Sequence, residues 1–150
     1  ASWLIYEAAG VLGDRRLMNR VSEVILKIVS AAGEGLQADG SMIYERDDAL
    51  GHTDRDRHWW VQAETVVGFL NAWEVTGDER FLEHSLRCYD YIKNNLVDRA
   101  HGEWYWSIMS DGTVNTADDK AGFWKCPYHN GRMCLEIMTR SREHGTHKKG

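Results

Sequence analysis

Apolar residues recur along this chain at helical spacing, in pairs of segments parted by a tight turn. Ser2–Leu12 places Leu4, Ile5, Ala8, Val11 and Leu12 on one predicted face. Gly13 stops that helix and Asp14 caps the next, expected from about Arg15 to Ala32 with Leu17, Val21, Val24, Ile25, Ile28 and Val29 as its buried stripe. Gly33, Gly35 and Gly40 then break the chain. Ser41–Tyr44 reads as a short strand, and Arg46–His58 as a charged, irregular connection. The same order returns further on. Trp60–Thr76 is a helix, Gly77-Asp78 a turn, and Glu79–Leu96 a second helix with Phe81, Leu82, Leu86, Tyr89 and Ile92 inward. Glu103–Ile108 alternates like a strand, with Trp104 and Trp106 on one side and Tyr105 on the other.

Sliding the sequence against itself makes the recurrence explicit. Val11 to Met18 falls on Val75 to Leu82 at an offset of 64, and Trp60 falls on Trp124 at the same offset. Gly40 to Tyr44 falls near Gly102 to Trp106. Helix pairs stacked at a fixed period build a solenoid or a closed ring, so the expected class is all-α, with small β-hairpins between pairs. About two and a half units are present, whereas a ring of six would need roughly 380 residues. Residues 1–150 are therefore expected to be part of one larger toroidal domain. Their open ends should expose apolar helix faces and invite self-association. In such a stack the loops entering each first helix lie at one end, which brings Ala1, Trp60 and the 124–129 stretch together.

Composition narrows the function classes. A formal net charge of -5 and a pI near 5.8, with no stripe of Lys and Arg, argue against nucleic acid as a partner. No apolar run approaches the ~20 residues of a membrane span, and Glu7 interrupts the first apolar stretch, so no signal peptide is expected. Cys88, Cys126 and Cys134 form no disulfide framework and read as reduced thiols, consistent with a cytoplasmic protein. Cys126 and Cys134 flank His129, but without a CxxC pair no metal is expected. His147–Lys149 forms a short basic tail.

Ala121–Glu136, AGFWKCPYHNGRMCLE, carries the densest chemistry. Lys125, Tyr128, His129 and Arg132 lie beside Trp124, and Pro127 is suited to the first turn of a helix that continues through Met133, Leu135, Ile137 and Met138. His129 then sits at a positive helix end, where developing negative charge is favoured. Histidine titrates near neutrality and suits proton transfer. Tryptophan faces suit the apolar faces of sugars. An ordinary loop-to-helix start with a half-buried histidine has the same sequence.

The segments AGFWKCPYHNGRMCLE, RHWWVQAETVVGFLNAW and HGEWYW, in this order and spacing, resemble the N-acylglucosamine 2-epimerase family, nearest to its cellobiose 2-epimerase branch. The resemblance runs from Ala1 to Arg140. It implies the C-terminal portion of an (α/α)6 barrel and epimerisation at C2 of a reducing-end sugar, with no redox cofactor. It matches His129 to a catalytic histidine that exchanges the C2 proton, and Trp124 and Trp60 to sugar-contacting tryptophans. Arg132 and Glu64 take supporting substrate-binding roles. The family pattern also places a second histidine, in a His-x-x-Glu motif, directly ahead of Ala1, and a third further upstream. His52 and His58 do not match it and are expected to be exposed loop histidines. The 150 residues alone are thus expected to be inactive. Other readings are an aldose–ketose isomerase of the same superfamily, acting on mannose or a related sugar, a non-catalytic carbohydrate-binding or interaction piece, and a helical solenoid with no site.

Overall fold

The computed structural model describes residues 1–147, with side chains as far as Arg142; the basic tail at 147–149 falls outside the described side chains. Five α-helices account for most of it. Helix α1, Ser2–Leu12, ends at Gly13 in the left-handed region, φ 66°. Asp14 then caps α2, Arg15–Gly33, accepting from the amides of Arg16 and Leu17 at 2.8 and 3.1 Å. The second pair repeats the device: α3, Trp59–Thr76, ends at Gly77 with φ 71°, and Asp78 caps α4, Glu79–Tyr91. Only glycine adopts that conformation without a steric penalty, so each Gly-Asp couple fixes a helical hairpin. Helix α5, Tyr128–His147, follows Pro127, whose carbonyl accepts from the Gly131 amide at 3.1 Å.

The repeat extends to the turns between pairs. Leu36 bridges Met42 in the first unit and Val97 bridges Trp104 in the second. The hairpin, however, lies elsewhere than the apolar pattern suggested. Strand β1, Glu45–Asp47, pairs antiparallel with β2, His52–Asp54, inside the stretch read as irregular, while Ser41–Tyr44 contributes only the single Met42 bridge. Backbone pairing there is set by the turn at Asp47, whose carboxylate accepts from the Ala49 and Leu50 amides, and such exposed charged strands carry no apolar alternation. Strand β3, Arg57–His58, pairs with β4, Ser107–Ile108, and ties the entry of α3 to the turn after α4. The end of the predicted Glu79–Leu96 helix also differs, since its last five residues, Ile92–Leu96, form a π-helical turn.

Helix α3 is the centre. It packs on α4, α5, α2 and α1, and ten of its eighteen residues are buried, so its apolar character runs round the helix. Trp3, Trp59, Val66, Val67, Ile92, Leu96, Trp104 and Met133 form the main core; Val29, Met42, Phe69 and Ala72 form a second cluster. The buried side of α1 is not its apolar face. Ser2, Trp3 and Ala9 are covered, while Leu4, Ile5, Val11 and Leu12 are exposed, Val11 at 89%. The apolar face exists, but no described element packs on it. On α5, Leu135 and Met138 are likewise exposed. Among the described residues no helix is long and apolar enough to cross a membrane.

Gln62, fully buried on α3, works as a strand edge. Its Oε1 accepts from the Met42 amide and its Nε2 donates to the Met42 carbonyl, both at 2.8 Å. Gln62→Leu keeps the volume but leaves both backbone groups unpaired. It is expected to cost about 2–4 kcal/mol, read as a lower urea midpoint.

Candidate functional site

Three helices meet at the carboxylate of Glu64. It lies on the second turn of α3, between the N-terminal ends of α1 and α5. Glu64 Oε1 is 2.8 Å from His129 Nδ1 and also accepts from Arg132, both on α5; Glu64 Oε2 accepts from Trp3 Nε1 on α1 at 2.9 Å. Burial alone would push this carboxyl up. The hydrogen bonds of His129, Trp3 and Arg132, with the charge of Arg132, outweigh it and hold the group below its ordinary value of 4.5. Arg132 in turn lies 5.0 Å from the Trp3 ring and 4.4 Å from the Tyr128 ring, and donates to the Tyr128 hydroxyl.

His129 is clamped by rings as well as by charge. Trp59 meets it edge-on at 5.3 Å and 75°, Tyr128 at 4.9 Å and 72°, and Trp60 lies tilted at 5.8 Å. With Nδ1 bound to Glu64, Nε2 has no hydrogen-bond partner among the described residues, and the ring lines a cleft of about 420 Å³ with Trp59, Trp60, Trp106 and Trp124. A carboxylate that accepts the Nδ1 proton leaves Nε2 as the basic nitrogen. The arrangement can therefore take up or deliver a proton at one face of a ligand lying among the indoles.

The sequence-predicted residues fall as follows. Trp60, Trp124 and His129 share the cleft. Trp60 is 38% exposed and Trp124 81% exposed, so both present open ring faces. Glu64 and Arg132 form their hydrogen bonds within the protein, around His129, which makes them orienting groups here. Lys125, grouped by sequence with the reactive side chains, is instead buried. Its Nζ donates to Glu103 Oε1 at 2.9 Å, to the Trp104 carbonyl at 2.8 Å and to the Lys120 carbonyl at 2.5 Å. His52 is exposed on β2, but His58 is not the exposed loop histidine expected. It lies tilted against Tyr44 at 4.1 Å and meets Trp106 edge to face at 6.5 Å, and burial lowers its pKa. Sequence reasoning passed over Trp3 and Trp59. The adjacency of Trp59 to Trp60 at a helix start was the available signal; nothing local marks Trp3, whose partner lies 61 residues away. Among the described residues, no group of three or more His, Cys, Asp or Glu side chains is placed to hold a metal ion.

Known proteins resemble this chain over most of its length. The profile of the N-acylglucosamine 2-epimerase (GlcNAc 2-epimerase) family matches residues 1–131. A cellobiose 2-epimerase of Bacteroides fragilis is 57% identical over 138 residues, covering 92% of this chain and 35% of that protein. One from Ruminococcus albus is 45% identical over 141 residues, covering 93% of this chain and 36% of that one. Among solved structures, a sugar epimerase from a ruminal bacterium superposes with a TM-score of 0.87 at 43% identity, over 93% of this chain and 36% of that chain. The chain thus spans about a third of the length of these relatives.

Because the folded value of Glu64 is depressed, its contribution to stability is complete above about 4.5 and is lost as pH falls through the lower folded value. Glu64→Gln is expected to lower stability near neutrality and to flatten the loss on the acid side. Urea midpoints recorded across that range report both effects.

Proposed function

The chain belongs to the N-acylglucosamine 2-epimerase family, and from that premise we propose that its parent protein inverts C2 of a reducing-end sugar, with cellobiose as the first candidate. The observation that carries this reading is His129: Nδ1 held by Glu64, Nε2 free, and four indoles around the same cleft. The 150 residues are about two and a half helix pairs of the C-terminal part of a six-pair toroid. The exposed faces of α1 and α5 then meet neighbouring helices of that ring.

A C2 proton is acidic only when C1 is a carbonyl, so the sugar reacts in its open form. His129 Nε2 takes the C2 proton. The C–H electron pair becomes a C1–C2 double bond, and the carbonyl electrons move to the C1 oxygen, giving an enediolate. Glu64 holds the imidazole in the required tautomer and stabilises the imidazolium that forms, while Arg132 balances the carboxylate. The α5 N-terminus, at Tyr128, adds a positive field at the cleft. Return of a proton to the opposite face of C2 inverts the centre and restores the carbonyl. That second carrier is assigned to the histidine the family pattern places ahead of Ala1. Trp60 and Trp124 hold the sugar by its apolar faces.

Incubation in deuterated water tests this directly. The full-length protein is expected to exchange the C2 hydrogen of cellobiose and accumulate the C2 epimer by NMR, with kcat falling about 10²–10⁴-fold in His129→Asn. The isolated 150-residue chain is expected to give no epimer. A ketose product would instead assign the isomerase reaction, and turnover by the isolated chain at the full-length rate would refute its inactivity.

A further inference from the structure

Trp124 is the most exposed of the cleft residues, and its own packing does not account for its place. At 81% exposure its ring contact is Phe123, itself 91% exposed, edge to face at 4.9 Å. Two bare aromatic rings thus stand at the tip of a loop above His129. What fixes the loop lies one residue on. Lys125 is 1% exposed, and its ammonium reaches back to the Lys120 carbonyl, so the side chain closes the 120–125 loop on itself. The Gly122 amide closes the same loop from the other side by donating to the Lys125 carbonyl at 2.8 Å. The stem is pinned independently. Lys120 Nζ bonds Asp98 Oδ2 at 2.6 Å and the Gly102 carbonyl at 3.0 Å.

An ammonium has three protons, and here each has an acceptor: Glu103, Trp104 and Lys120. Its charge also lies 4.9 Å from the centre of the Trp59 ring, the indole whose edge abuts His129. A buried ammonium is retained only where a counter-charge and full hydrogen bonding offset its lost hydration. Glu103 supplies the counter-charge in an unusual backbone conformation. At φ 62° it is the one non-glycine residue with positive φ among those described. Such a residue persists where its surroundings over-determine it, and such positions gather at functional sites. The same oxygen, Glu103 Oε1, also accepts from Asn130 Nδ2 at 2.8 Å. Lys125 is the chain neighbour of Trp124, and Asn130 is the chain neighbour of His129. One carboxylate oxygen therefore holds the residue beside each half of the site.

We propose that Lys125 and Glu103 are positioning residues of this cleft, which hold the Phe123–Trp124 tip at a fixed setting against His129. This deepens the reading of Trp124 as a sugar platform and rests on it for its purpose, though not for its geometry. A lysine or glutamate serving the core alone would affect all parts of the fold together. A latch affects the tip and leaves the helices as they are.

The test uses the full-length protein labelled with 5-fluorotryptophan, which gives a fluorine resonance for each tryptophan, the seven of this chain among them. Trp124 is assigned by its loss in Trp124→Phe. In Lys125→Met the Trp124 line is expected to shift and narrow toward that of a freely rotating indole, while the line of Trp73, at the far end of α3, stays in place. Glu103→Gln keeps the shape, removes the charge, and is expected to move the same line less. If Lys125→Met unfolds the chain, all dispersion is lost and Glu103→Gln decides by the same criterion. An unmoved Trp124 line in a folded variant overturns the proposal, as does an equal shift of every tryptophan. Cellobiose added to the unsubstituted full-length protein separates this from the functional reading. A silent Trp124 line there counts against the sugar platform while the variant result still stands.

Discussion

Everything in the described structure that could perform chemistry depends on one carboxylate having three donors from two other helices. Glu64 projects from α3, and Trp3 on α1 and His129 and Arg132 on α5 converge on it. A half-buried carboxylate needs such compensation, because desolvation alone would favour its neutral form. Once compensated, it is a fixed negative charge that orients the imidazole. The site is thus a by-product of how three helices settle their electrostatics at one end of the bundle.

The same three helices are tied again further along. Arg140 on α5, 7% exposed, bonds Glu7 of α1 at 2.9 Å, Glu74 of α3, and Glu136 one turn back on α5 at 3.1 Å. Two arginines on one helix, 132 and 140, thus each meet a carboxylate of α3, and each also contacts α1, at Trp3 and at Glu7. Two points of attachment fix the rotation of α5 about its axis as well as its distance from α3. That rotation decides which way His129 faces. Apolar packing of Met133 into the core sets the spacing, and the charged ties set the angle.

Local rules were the readable part of the fold. The Gly13-Asp14 and Gly77-Asp78 turns announced both helical hairpins, since a left-handed glycine followed by a capping carboxylate acts within four residues. The repeat then placed Trp60 and the 124–129 stretch at one end without any distant contact being known. What stayed hidden depended on partners far away in the chain or on charges that look exposed. Lys125 reads as one of a reactive cluster until Glu103 and two carbonyls are found around it. Trp3 carries no local mark of its role until Glu64 appears beside its indole nitrogen. The apolar face of α1 is turned outward, because α2 and α3 pack on its other side. The β1–β2 hairpin escaped because its strands are charged and exposed.

The bond between Glu64 and His129 joins residues 65 apart, whereas each Gly-Asp turn brings its two helices together within a few residues. Contacts that close short loops form early in folding and those that close long ones form late, because the chain entropy lost on closure grows with the loop. The helical hairpins therefore close at the smaller entropic cost, and the Glu64–His129 pair at the larger. Helix content by circular dichroism thus reports the hairpins and is blind to whether His129 has met Glu64.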